Sequence, residues 1–388
     1  MRNFPSQVVS DAEKISYEYG LKVAQAIEGE WFDENNRSNR YDNYKNDFHN
    51  LRLYARGEQS IQKYKDELSI NGDLSYLNLD WKPVPIISKF VDIVVNGIAE
   101  RTYDIKAYSQ DPYGVSKRTE YMNSIMEDMR TRDLKTFVQE NFGMDLFNNN
   151  PSLLPDSQEE LDLHMMLNYK QGVEIAEEQA LNVLMEGNRY ELIKKRFYYD
   201  LTVLGIGAVK TSFNTSEGVV IDYVDPTNLV YSHTDSPYFE DIYYVGEIKT
   251  IPINELIKQF PHLTSEDLEE ISKTSGYNND RYNHRRDKDD NDKNKVDILY
   301  FNYKTYMSEV YKLKESASGG EKAIEKDDSF DPPETEDINF SKESRKIECL
   351  YDGALVLGTK KLLKWEMAKN MMRPKSDFTK VKMNYAIV

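Results

Sequence analysis

Residues 205–226 read GIGAVKTSFNTSEGVVIDYVDP, and they mark the point where the chain changes texture. Ala208 to Phe213 and Val219 to Val224 favour strands, and Asn214 to Gly218 between them has the length of a common hairpin loop. Before this stretch the apolar residues recur at helical spacing; after it they mostly alternate. Gly205-Ile206-Gly207 sits at the change of period, where glycine supplies backbone freedom. These residues do not make a dinucleotide loop, because Lys210 stands where a third glycine is needed and a strand follows instead of a helix.

Upstream, Ser10 with Glu13 is a capping-box signature that predicts a helix to about Gly29. Tyr41, Tyr44, Phe48, Leu51 and Ala55 predict a second, ended by Gly57. Pro85 suits the first turn of a third and most apolar helix, in which Ile86, Phe90, Val94 and Ile98 predict one buried stripe. Tyr103 to Ala107 alternates like a short strand. Tyr121, Met122, Ile125, Met126 and Met129 mark another helix, and Ser157 with Glu160 caps the next.

Downstream, strands are predicted over Ile242 to Lys249 and Val296 to Leu313, with a helix over Ile253 to Phe260 and another capped by Thr264 and Asp267. Asp352-Gly353 reads as a two-residue turn between strands Arg345 to Tyr351 and Ala354 to Leu357. Residues 275–294 and 315–344 are polar and are expected to be mobile loops. The fold class is α+β: a helical region 1–204 packed with a β-rich region 205–388.

Composition narrows the function. The chain has 388 residues, 50 Lys+Arg against 67 Asp+Glu, a net charge of -17 and one cysteine. At roughly 150 residues per domain it has room for two or three. With 28 Tyr, 15 Phe and 3 Trp it carries too many aromatics for a disordered chain. Cys349 alone makes no internal disulfide, so synthesis in a reducing cytoplasm is expected. No stretch approaches the roughly 18 apolar residues that span a bilayer, and the first residues have no apolar signal core, so no membrane partner is expected. The net charge argues against a protein whose whole surface grips nucleic acid, but not against a surface past which DNA slides.

The motifs that would carry chemistry fail at decisive positions. Gly353 to Lys360 resembles a phosphate loop with Thr359 and Lys360 in reversed order. Asp287, Asp289 and Asn291 imitate a calcium loop, but Asp292 replaces its glycine and Ile298 its bidentate glutamate. Glu160 and His164 share a helix face without a third ligand. No catalytic residue, cofactor or metal is expected. Two charge blocks stand out. Acidic residues between Asp156 and Glu186 include Glu174, Glu177 and Glu178, and basic residues between Lys360 and Lys382 include Lys361, Lys364 and Lys369. Such blocks mark either partner surfaces or solvated faces. As partner surfaces, these six residues are the candidates for a subunit interface in which one face of a copy meets a different face of its neighbour. The basic block, with Trp365 and Phe378, is alternatively a phosphate-binding surface.

The run WKPVPIISKFVDIVVNGI at residues 81–98, followed by Tyr103 to Ala107, resembles the early core helix and strand of tailed-bacteriophage portal proteins, the head-to-tail connectors. Leu204 to Val209 and Val220 to Val230, with Asp225-Pro226 ending the second strand, are similar to that family's wing strands. The Asn-, Asp- and Tyr-rich composition is similar to the crAss-like podovirus branch. The resemblance covers roughly residues 10–260. It implies a structural, non-enzymatic subunit of a dodecameric ring at the portal vertex of the virion, made in a host bacterium's cytoplasm, for DNA packaging and ejection. Implied partners are other copies of the chain, the major capsid protein, a terminase, head-to-tail adaptor or tail proteins, and double-stranded DNA in passage. The family's stem, clip and crown are not evident here, since Met383 to Val388 ends in what reads as a strand. The alternatives are a metal-dependent phage phosphodiesterase built on the abundant carboxylates and a minor capsid or tail adaptor protein. An enzyme would converge carboxylates to within about 4 to 6 Å; a connector would expose large subunit-facing surfaces.

Overall fold

The computed structural model describes residues 4–32, 40–70, 80–101, 105–108, 111–144, 146–149, 154–167, 172–214, 218–272, 295–315, 321–327, 329–331, 340–374 and 376–388. Its fold class is α+β, helical first and β-rich later. Compactness divides the chain differently from the change of texture at Gly205. One unit joins residues 1–100 to 192–388, and the other is 101–191.

In the first unit Ser10 caps α1 (Asp11–Ile15), its side chain accepting from the Glu13 N–H. The helix expected to reach Gly29 is interrupted at Ser16, which caps α2 (Tyr17–Trp31). Then come α3 (Arg40–Arg56), α4 (Gln62–Leu68) and α5 (Ile86–Ala99). The large antiparallel sheet contains β3 (Leu229–Tyr231), β4 (Tyr244–Pro252), β5 (Lys295–Glu315), β7 (Phe340–Val356) and β8 (Leu362–Met367) in that spatial order, and β6 (Glu321–Lys326) pairs with the far end of β5. A smaller sheet has the order β2 (Gly218–Val224), β1 (Ala208–Asn214), β9 (Tyr385–Ile387). The hairpin of β1 and β2 forms as expected, paired from Ala208↔Val224 to Asn214↔Gly218, so each strand runs one residue further than the sequence predicts.

Strand alternation sorts β5 onto two cores. Leu299, Phe301 and Tyr303 point towards Val23, Ile27 and Trp31 of α2, with Tyr244 and Leu355 beside them. Val296 and Ile298 face the other way, against Leu256 and Phe260 around α11 (Ile253–Gln259) and Ile271 in a helical segment at 265–272. That segment carries the expected cap, with Thr264 and Asp267 exchanging N–H bonds at 3.0 and 3.3 Å. Val245 joins Ile206, Val224 and Ile387 beneath the small sheet.

One edge of β5 changes partner along its length. β4 pairs with it from Lys295 to Tyr303, and β6 takes over from Val310 to Glu315. Between them no strand is present among the described residues. There the Lys14 ammonium donates to the Tyr306 carbonyl, and the Asp11 carboxylate accepts the Ser308 N–H at 2.9 Å. Side chains of α1 thus supply the donor and the acceptor that a strand would have supplied.

The second unit holds α6 (Pro112–Arg130), α7 (Arg132–Phe142), α8 (Gln158–Leu167) and α9 (Gly172–Gly187), and α10 (Tyr190–Leu204) leads back to β1. Its core gathers Ile125, Leu161 and Met165 with Tyr121 and Met122. Asp111 caps α6 with Pro112 in the first turn, and Ser157 caps α8.

Four expectations are corrected. Asp352-Gly353 is not a turn: β7 runs straight through it, Gly353 pairs with Phe301, and the chain reverses instead at Gly358, whose φ is +76°. A Cβ at Gly353 would lie 2.2 Å from the Phe301 ring, so the glycine makes room for an aromatic side chain. Of the stripe expected to be buried, Ile86, Phe90 and Val94 are exposed, Phe90 at 62%, and Ile98 is half-buried; Val91 and Val95 are buried instead. The described part of Tyr103 to Ala107 is not a strand. Within the loop expected at 315–344, residues 321–326 and 340–344 are strand; the loop expected at 275–294, with Asp287, Asp289 and Asn291, lies outside the described residues.

Candidate assembly surface

The most apolar helix of the chain is also one of its most exposed. Pro85 starts α5, and the sequence that follows places Ile, Val or Phe on more than one side of it. Val91 and Val95 are buried where α5 rests near α3. Ile86, Ile87, Phe90, Ile93 and Val94 are 40–62% exposed, and Val84 just before the helix is exposed too. A contiguous apolar face of this kind on a folded protein is a mark of a contact surface. In the second unit α7 repeats the pattern on a smaller scale, with Leu134 and Phe137 exposed on one side.

The residues proposed from charge alone are mostly engaged within their own unit. Glu174 is buried, and Glu178 accepts the Ala107 N–H at 3.0 Å; Glu177 is exposed. Lys361 pairs with Asp267, and Lys364 reaches Glu366 at 3.0 Å and Asp352 at 3.7 Å; Lys369 is exposed. Trp365 stacks on Tyr351 with centroids 4.8 Å apart and donates to the Lys14 carbonyl, so it serves the core. His164, paired with Glu160 in sequence, meets the Tyr121 hydroxyl at 3.2 Å. Among the described residues no three His, Cys, Asp or Glu side chains are grouped to hold a metal ion.

Two carboxylates do converge, on a guanidinium. Arg52 of α3 donates to both oxygens of Asp225 at 3.1 and 2.8 Å and to Asp200 of α10 at 2.9 Å, and Tyr223 donates to Asp200. Burial raises the Asp200 carboxyl above the usual range, and the bonds from Tyr223 and Arg52 offset only part of this. Burial acts on Asp225 too, but Arg52 and the Thr227 N–H outweigh it and hold that carboxyl low. The guanidinium uses both acids, so the cluster fastens α3, α10 and the end of β2 together. Sequence reading located Asp225 as a strand end, but nothing in the local pattern singled out Arg52 or Asp200.

A cleft of about 390 Å³ in the same unit is lined by Phe32, Tyr41, Lys45, Asn228, Lys249 and Asp297, among others. Its polar groups bond to neighbours: Tyr41 to Asn228 at 3.2 Å, Thr250 to Asp297 at 2.5 Å, Lys249 to Glu247 at 3.1 Å. They do not converge on a common point. No protein-family model matches the chain, and no curated protein matches its sequence.

Proposed function

We propose that the chain is a structural subunit of a phage portal, assembling with copies of itself into a ring through which DNA is packaged and ejected. The observation that carries this reading is the exposed apolar face of α5, formed by Ile86, Ile87, Phe90, Ile93 and Val94. Leaving such side chains in water is unfavourable by roughly 25 cal/mol for each Å² of apolar surface, which contact with a neighbour relieves. This face lies within the segment whose sequence resembles the portal core helix. The Arg52 cluster supports a load-resisting role, since a guanidinium shared by two acids ties three elements at one point. The mechanism is geometric: a ring keeps a passage open, and its subunit contacts resist the pressure of packed DNA. The capsid protein, terminase and adaptor proteins are the partners this function requires.

Negative-stain images of the purified protein test it. Closed rings with an axial hole are the expected result, and a compact monomer at high concentration overturns it. Phe90→Glu with Ile93→Glu should abolish ring formation while the circular dichroism spectrum stays unchanged; rings that survive the pair remove α5 from the interface.

A further inference from the structure

Beyond Tyr306 the β6-β5-β7 sheet continues as an arm whose two faces differ in charge. Antiparallel register places directly paired residues on one side, and alternate residues along each strand share that side. Ser308, Val310, Lys312 and Lys314 of β5 therefore share a face with Lys346, Ser344 and Lys342 of β7 and with Lys326, Ile324 and Lys322 of β6. The described strand residues of this face include six lysines and no carboxylate. The flanking Asp331 reaches in to Lys342 at 2.8 Å. Glu309, Glu325 and Glu343 lie on the opposite face with Tyr311, where Arg345 clasps Glu309 at 2.7 Å. Lys314, Lys322, Lys326, Lys342 and Lys346 are exposed. A chain of net charge -17 thus gathers cations on one face of this sheet, around the buried Val310.

We infer that this face holds the phosphate backbone of a nucleic acid. Two features favour the phosphate backbone. A DNA duplex carries one negative charge per about 1.7 Å of its axis, a density that lets it meet several of these lysines at once. Phe330 lies beneath both Lys312 and Lys326, at 5.8 and 5.9 Å, giving the face an aromatic surface for a sugar or base. Stacking of one arm on the arm of another copy fits less well, because the opposite face sets Arg345, Tyr311 and Leu313 among its glutamates, and Glu309 is already held by Arg345. The inference goes beyond the proposed ring: it assigns a surface that holds nucleic acid where that reading needs DNA only to pass.

The test is salt-dependent binding of a labelled random-sequence DNA duplex to the full chain, by fluorescence anisotropy. The wild type should bind with a steep dependence on salt. The triple variant Lys322→Gln, Lys326→Gln, Lys342→Gln should bind more weakly, with a log–log slope shallower by about 3, roughly 1 for each phosphate that is no longer neutralised. Glu325→Gln with Glu343→Gln on the opposite face should leave the slope unchanged. An unaltered slope in the lysine variant overturns the inference, leaving a solvated face. Competition by polyglutamate as strong as by unlabelled duplex also overturns it, in favour of an acidic protein partner. Sedimentation of the same samples separates the two proposals. Rings that bind DNA independently of these lysines sink this inference alone, whereas monomers that bind through them sink the portal reading alone.

Discussion

The base and the tip of one strand pair obey the same register and have opposite surroundings. From Ile298 to Thr305 every residue of β5 is buried or half-buried, between α2 on one side and the small sheet and α11 on the other. From Ser341 to Lys346 on β7, and from Lys322 to Lys326 on β6, every residue is exposed, yet the pairing continues without a break. Backbone hydrogen bonds set how far the strands run, whereas burial sets how much each part contributes to stability. Stability therefore concentrates at the base, and the tip is left to present charge.

Phe301→Ala should give the largest effect, because Phe301 is 2% exposed and fills the space above Gly353. A loss of about 3 to 5 kcal/mol by urea denaturation is expected; less than about 1 would erase the distinction between base and tip. Gly353→Ala should cost about 1 to 3 kcal/mol through overpacking. Combined with Phe301→Ala it should cost less than the sum of the two, since the ring it strikes is gone.

Alkaline titration sharpens the contrast further. Burial pushes the Tyr300 hydroxyl and the Cys349 thiol, both at the base, up to about 12. Folding favours their neutral forms, so this contribution is intact below pH 9 and is lost as pH rises through about 12. Near-UV dichroism should collapse in that window, and native Cys349 should resist alkylation at pH 8. The smallest effects belong to the tip: Glu325→Ala or Lys346→Ala should change stability by no more than about 0.5 kcal/mol. Hydrogen exchange at Glu309 to Leu313 should also need a smaller opening free energy than at Leu299 to Tyr303.

Local signals were legible where local chemistry decided the outcome. Ser157 and Thr264 cap the helices they were expected to cap, Ser10 caps the first part of its own, Pro85 opens α5, and β1 and β2 pair as a hairpin. Asp352-Gly353 misled because a strong turn signal gave way to a distant ring, Phe301, that needs the missing Cβ. The exposed side of α5 was hidden for another reason. Ile86, Phe90 and Val94 keep helical spacing as well as Val91 and Val95 do, so periodicity alone does not choose the stripe that faces inward. The lysine face was invisible because its members come from three strands, and only the register brings Lys312, Lys326 and Lys342 to one side.

The bridge from α1 to β5 spans 292 residues for Lys14 with Tyr306 and 297 for Asp11 with Ser308. On a ribosome adding roughly 5 to 20 residues per second, that separation is a delay of about 15 to 60 s. Throughout it the first unit is incomplete, because the strands that cover Val23, Ile27 and Trp31 are made only after the inserted residues 101–191 have emerged. The inserted unit has its own core and is free to fold meanwhile. The amphipathic α2 must wait, and during translation it is the segment a holding chaperone would be expected to cover.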